Sequence, residues 1–388
     1  MKSAKLLHNW PADVAAAIIL VVGMGFGRFA FTGLYPLMVN EQILTIAGGS
    51  WAASANYAGY LAGALAMAKL SVRHAVPAAV ASLLATVAAL ALLGWTDTVW
   101  AVVLNRGLAG VFSAVAMVAG SLWLLQYMGR PHSAPLLYAG VGMGIFLSAE
   151  LIALGAVPGW GSLLIWRALA AVALLLALFA CAVLWRSRRD LPLPQAVPKP
   201  GAAAATAAAF AGPWLLIAVY GLAGLGYIIT ATYLPVLISG ALGGAAPIHV
   251  WAAFGLGAVP SCFLWHRINL RFGVRISLAL NLLLQGFGVL LPVLHQSLWA
   301  YLGSAILVGG TFMGTVTIAM PAARQLSTHV NFNMLAVMTA AYGIGQIVGP
   351  IAANAIFDYS GSFAGSLVFA AVALWVAAVL CRPKLGRV

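Results

Sequence analysis

The stretch GFGRFAFTGLYP, residues 25–36, returns in diluted form as GLGYIITATYLP, residues 224–235. Both have glycine at the first and third positions and proline at the twelfth, at an offset of 199 residues. A second pair, GVGMG at 140–144 and GIGQI at 343–347, recurs at an offset of 203. Internal similarity over a long fixed spacing marks a duplicated unit. Between the copies lies RSRRDLPLPQAVPKPGAAAATAAA, residues 186–209, which is charged, then proline-rich, then alanine-rich. That is the composition of a connector. The chain therefore divides into equivalent halves, 1–188 and 212–388, joined by a linker over 189–211.

The halves are built for lipid. Of 388 residues, 64% are hydrophobic and 6% charged, where an ordinary soluble domain carries about 25% charge. A spanning helix needs about 20 apolar residues. Twelve such runs occur, at 13–39, 49–69, 74–94, 99–127, 134–156, 160–185, 212–239, 247–266, 275–294, 297–323, 333–356 and 363–381. The expected fold is all-α, with twelve transmembrane helices in two pseudo-symmetric six-helix bundles.

Charge checks the count. With both termini in the cytoplasm, Lys2, Lys5, Lys69, Arg73, Arg130, Arg186, Arg188, Arg189, Lys199, Arg267, Arg271, Arg275, Arg324, Arg382, Lys384 and Arg387 all fall inside. The outer loops hold Glu41, Asp97 and Asp358. This is the positive-inside pattern, and one missed helix would break it. The expected location is the bacterial inner membrane. The net charge of +13 belongs to the cytoplasmic rim. Basic residues interleaved with aromatics, as nucleic-acid stacking would need, are absent. Asp13 near the start of a long first run argues for a spanning helix over a cleaved signal. Cys181, Cys262 and Cys381 lack metal or CxxC spacing and fall near cytoplasmic helix ends, as reduced thiols.

GMGFGRFAFTGLYPLM (23–38), with GGSWAASANYAGYLAGAL (48–65), resembles the YbfB/YjiJ-type branch of the major facilitator superfamily. Two six-helix halves repeated in parallel are the architecture of that superfamily. LNRGLAGVFSA (104–114) is similar to its fourth-helix motif with a buried arginine, here Arg106. GVGMGIFLSAE resembles its glycine-rich fifth-helix motif without the usual Gly-Pro pair, which GIGQIVGP has as Gly349-Pro350. The loop after the second span, AKLSVRHA, lacks the family's glycines and aspartate; the second copy, WHRINLRFGVR, keeps Arg271, Gly273 and Arg275. The resemblance implies alternating access around a central cavity lined by the first helix, with substrate bound near the midplane.

Charges inside a membrane are expensive, about 3 kcal/mol on insertion scales, and need a partner or a wet cavity. At ~1.5 Å per residue, Arg106, Glu150 and Arg167 all lie roughly 10 Å below the outer surface. Glu150 is expected to pair with Arg106 or Arg167, pinning the bundle, or to face the cavity as a proton-coupling carboxylate tuned by Arg106. Arg28 lies near the midplane with no acid at its level, and it cannot shed its proton. A transient anion would satisfy it, and so would carbonyls freed by the neighbouring glycines. Thr32 and Tyr35, at i+4 and i+7, share its face. Further candidates for the substrate wall are Asn56 and Tyr60; Tyr227, Thr230 and Tyr233; Thr311 and Thr315; and Tyr342 and Gln346. Each could equally make an interhelical hydrogen bond. Gly23, Gly25 and Gly27 serve close helix packing and, as a second reading, loosen the first helix so that it bends during rocking; Pro36, Pro235 and Pro350 kink the outer ends of their helices.

The expectation is a monomeric secondary transporter of a small organic solute, anionic in character and driven by protons. The alternative is proton-driven efflux of amphipathic, drug-like compounds across the same aromatic wall. Neither metal nor cofactor is expected, and no nucleotide-binding motif is present. An enzyme would need a catalytic constellation, and a sensor an output domain; the sequence offers neither.

Overall fold

A computed structural model describes residues 10–187, 212–242, 246–326, 330–332 and 334–381. The linker 189–211 and the terminal basic residues Lys2, Lys5, Arg382, Lys384 and Arg387 lie outside the described residues.

The described chain is helical throughout: α1 Trp10–Asn40, α2 Ile46–Met67, α3 Ala75–Leu93, α4 Val99–Tyr127, α5 Ala134–Ala156 and α6 Ser162–Ser187. The second half follows with α7 Pro213–Leu242, α8 246–272, α9 274–294, α10 Leu298–Leu326, α11 Met334–Ser360 and α12 Ala364–Leu380. Helices α8 and α9 run together except at Gly273, whose φ of 76° and ψ of 171° break the helical path. That conformation is open to glycine at no steric cost. Nine of the described helical stretches are long and apolar enough to cross a membrane, the joined α8–α9 stretch counting once. α2 and the 17-residue α12 fall outside that set, and a helix lies at each of the twelve expected positions.

Local chemistry sets the boundaries. Thr45 starts α2 by accepting from the Gly48 amide at 3.0 Å, satisfying a donor with no helical partner. Glu41, in the loop after α1, caps α6: its carboxylate accepts from the Ser162 amide at 2.9 Å and from the Ser162 hydroxyl. At the end of the molecule that carries the termini, Arg130 grips Asp13 through two bonds of 2.8 and 2.5 Å. That pair ties the start of α1 to the α4–α5 loop, and it is almost fully buried.

α1 departs from ideal geometry. Val21–Phe29, VVGMGFGRF, is a π-helix. Wide turns of this kind are rare and cluster at functional sites. Small residues let neighbours approach it: a Cβ on Gly25 would collide with the α5 backbone at Gly144, and one on Gly27 would meet Thr86 of α3. The packing role expected of these glycines is therefore present. Pro36, Pro235 and Pro350 all sit inside their helices.

The halves meet along α2 with α11 and α5 with α8. Gly142 of α5 and Gly255 of α8 pack backbone against backbone, so a Cβ on either would strike the other's carbonyl. At the end remote from the termini the seam is polar. Ser50 Oγ and Tyr233 Oη lie 2.6 Å apart, Ser54 Oγ donates to the Ile347 carbonyl at 3.2 Å, and Tyr57 and Thr232 hydroxyls lie 3.1 Å apart.

Glu150 corrects the expected charge cluster. It pairs with neither Arg106 nor Arg167 but with His249 of α8, Oε1 to Nδ1 at 3.3 Å, across the seam. Arg167 instead donates to the Gly94 carbonyl at 2.9 Å and stacks on Trp95. Equal depth did not mean proximity, because α5 turns its side chains towards α1 and α8, and touches α4 and α6 little.

Candidate substrate-binding site

Arg28 emerges from the last turn of the π stretch into the centre of the molecule and is 3% exposed. Its Nη2 donates to Gln346 Oε1 at 2.9 Å, and Gln346 Nε2 donates onward to the Tyr227 hydroxyl at 2.5 Å. A cation of the first half is thus linked to α7 through one neutral amide of α11. The guanidinium carbon lies 4.2 Å from the Tyr60 ring centre, 5.0 Å from Tyr57 and 5.3 Å from Phe29. Aromatic faces attract cations and attract them more when dry. Arg28 Nε has no partner.

Across from it, rings stack in sequence. Tyr220 lies on Tyr342 at 4.4 Å, Tyr342 on Tyr227 at 5.7 Å, and Tyr227 on Phe312 at 5.5 Å. Phe29 meets Phe312 edge-on at 6.1 Å. Among the described residues the ion pairs are Asp13–Arg130 and Glu150–His249, both away from this centre. The site therefore has a fixed positive charge, hydroxyls and ring faces, with no carboxylate bound to the cation.

Arg106 is the support beneath it. Its Nη1 donates to the Gly27 carbonyl at 2.7 Å and its Nη2 to the Arg28 carbonyl at 2.6 Å, while its guanidinium lies over Phe31. The sequence suggested that freed carbonyls near the glycines could satisfy a cation. They do, but the cation is Arg106, which fixes the backbone that carries Arg28.

The expected wall residues separate into two groups. Arg28, Tyr60, Tyr227, Tyr342 and Gln346 converge. Asn56 instead donates to the Arg106 carbonyl at 2.8 Å, tying α2 to α4. Thr315 donates to Asn281 of α9 at 2.7 Å, and Thr311 to Leu307 of its own helix. Tyr35 donates to the Ile46 carbonyl at 2.7 Å, towards the remote end. Thr32 and Thr230 are buried, and the Thr230 hydroxyl is without a partner. Three residues were missed: Tyr57, Phe312 and His249. Tyr57 was legible, because Ser50, Ser54, Tyr57 and Leu61 form an i, i+4, i+7, i+11 stripe, and that stripe faces the other half.

Residues 20–382 match the family described as "Uncharacterised MFS-type transporter YbfB". No curated protein matches the sequence. Among solved structures, a mutant form of the nucleoside transporter NupG superposes with a TM-score of 0.70 at 12% identity, over 95% of this chain and 98% of that one. A bacterial homologue of the human lysosomal transporter Spinster, inward-facing and unoccupied, gives 0.68 at 15% identity, over 96% of each chain. At such identities the likeness speaks for the fold alone. Taken with the family match over nearly the whole length, it makes this chain a multi-pass membrane protein of the YbfB-type family of the major facilitator superfamily, a secondary transporter and not an enzyme.

Proposed function

We infer that the protein carries a small organic anion across the bacterial inner membrane, with both termini cytoplasmic, as a monomer coupled to protons. The two bundles, 1–188 and 212–388, rock about the central site while the 189–211 linker keeps them joined. The carrying observation is Arg28: a fully buried, permanent cation whose polar partner is one neutral amide, with an N–H left over. A carboxylate arriving there gains a charge-assisted bond and neutralises the charge. It competes with Gln346 for the guanidinium, so binding loosens a bond between halves as it makes its own.

Glu150 is the candidate for proton coupling. It bridges to His249 on the opposite half, at the remote end, where the carboxylate remains about one-third exposed. Opening that end separates the pair and frees the carboxylate to exchange a proton. Arg106 takes no direct part in this step; it holds α1.

The test is a thermal-shift titration of purified protein with succinate, glucose and tetraphenylphosphonium. A ligand that binds the folded state raises the melting temperature by mass action. Succinate is expected to stabilise the wild type, and Arg28→Ala to weaken that binding by at least about tenfold. Stabilisation by tetraphenylphosphonium alone would favour the efflux reading, for which the stacked ring faces are the supporting observation. In reconstituted vesicles, Glu150→Gln is expected to remove the dependence of uptake on a proton gradient while leaving succinate affinity unchanged. A normal proton dependence in that variant rules Glu150 out.

A further inference from the structure

The charge at the centre is surrounded by rings to a degree that anion binding does not require. Resting on the anion reading above, we propose that the site selects a carboxylate attached to a flat aromatic ring over an aliphatic acid of the same charge and size.

Arg28 approaches the faces of Tyr57, Tyr60 and Phe29, so the groups beside the anion-binding position are π surfaces. Tyr60 on α2 and Tyr342 on α11 are only half-buried, unlike Tyr57, Tyr227 and Phe312. They flank the contact between halves where Leu61 packs on Gly343. One partly exposed ring thus comes from each half: Tyr60 lies under the guanidinium, and Tyr342 stacks on Tyr227, the end of its hydrogen-bond chain. Tyr342 is backed by Tyr220 and Tyr227, at 4.4 and 5.7 Å. Tyr227 is in turn backed by Phe312. This stack holds the Tyr342 ring in a fixed orientation, and a pre-oriented ring loses little freedom on binding. A ligand ring that meets the exposed part of Tyr60 or Tyr342, away from the faces already covered, places its carboxylate at Arg28. Ring pairs in offset or edge-to-face geometry gain beyond the area they bury. A saturated ring of equal volume gains the area and loses the rest.

The experiment compares benzoate, cyclohexanecarboxylate and benzamide on the wild type, Tyr60→Leu and Tyr342→Leu, reading dissociation constants from thermal-shift titrations. In the wild type, benzoate is expected to bind about three- to tenfold more tightly than cyclohexanecarboxylate, and benzamide at least about tenfold more weakly than benzoate. Each leucine variant is expected to weaken benzoate more than cyclohexanecarboxylate, which brings the ratio of the two acids close to one. The wild-type ratio alone decides the question if a variant fails to fold. Equal affinity for the two acids overturns the ring preference and leaves the anion site standing. Benzamide binding as well as benzoate, or neither acid binding, overturns the anion reading and this proposal with it.

Discussion

Helices α1 and α7 occupy matching positions in the two halves, and the repeat aligns Arg28 with Tyr227. The two side chains reach the same amide from opposite sides, Arg28 onto Gln346 Oε1 and Gln346 Nε2 onto Tyr227. Their backbones differ. α1 widens into a π stretch over Val21–Phe29, while Pro213–Leu242 is α-helical along its length. The reason lies one helix away. Gly110 of α4 packs against the Asn56 carbonyl, and Gly309 of α10 packs against the Phe254 carbonyl in the same manner, 199 residues on. Arg106, four residues before Gly110, therefore corresponds to Ala305. In the first half an arginine donates to two carbonyls at the end of the wide turn. In the second half α7 stays α-helical, and alanine stands at the matching position. The buried cation at the centre and the guanidinium that supports it come as a set.

Breaking that set should have the largest effect. Arg106→Met takes the guanidinium donors away from the buried Gly27 and Arg28 carbonyls, at roughly 1–3 kcal/mol each. The expected outcome is a clear fall in melting temperature together with loss of anion binding, read from the same thermal titration. If binding survives with normal affinity, the wide turn does not depend on Arg106. The mirror substitution, Ala305→Arg, should destabilise and add no binding, because α7 has no wide turn to receive it. A smaller effect is expected from Gln346→Met, which gives α11 the residue that α5 carries at Met143 under the 203-residue offset. It removes the bond between halves at Arg28 and takes away the group that competes with the anion. Affinity should rise a few-fold while turnover in vesicles falls. A drop in affinity would show instead that Gln346 holds the ligand. The smallest change is Tyr227→Phe, which removes an acceptor of one Gln346 N–H and leaves every ring contact in place. A cost of about 0.5–1.5 kcal/mol in stability is expected, with the preference for benzoate unchanged.

Much of the fold was legible, since lipid demands long apolar runs and positive-inside loops, and both are local features of the sequence. Arg28 was legible for a similar reason: a charge amid apolar residues stands out without knowledge of neighbours. What could not be read was azimuth. Asn56 and Tyr57 are adjacent in sequence and point about 100° apart on a helix. Only the stripe through Ser50, Ser54 and Leu61 shows which of them meets the other half. Arg106 and Glu150 shared a depth but belong to helices that scarcely touch. His249 was invisible because its importance comes from a partner 99 residues away in another half. Thr311 and Thr315 had suitable spacing for a cavity wall, yet spacing alone could not reveal Asn281 waiting on α9.

The bond from Arg28 to Gln346 spans 318 residues of sequence, and this sets a timetable for biosynthesis. A ribosome working at about 5–20 residues per second needs roughly 15–60 s to make that length of chain. Throughout that interval α1 exists with its central charge and without the amide that later engages it. Arg106 arrives earlier and can fix the wide turn while the first half assembles. The guanidinium of Arg28 must meanwhile rest on Tyr57 and Tyr60, or on water admitted between the first helices. The newborn first half therefore carries a central cation whose amide partner is supplied only when α11 arrives.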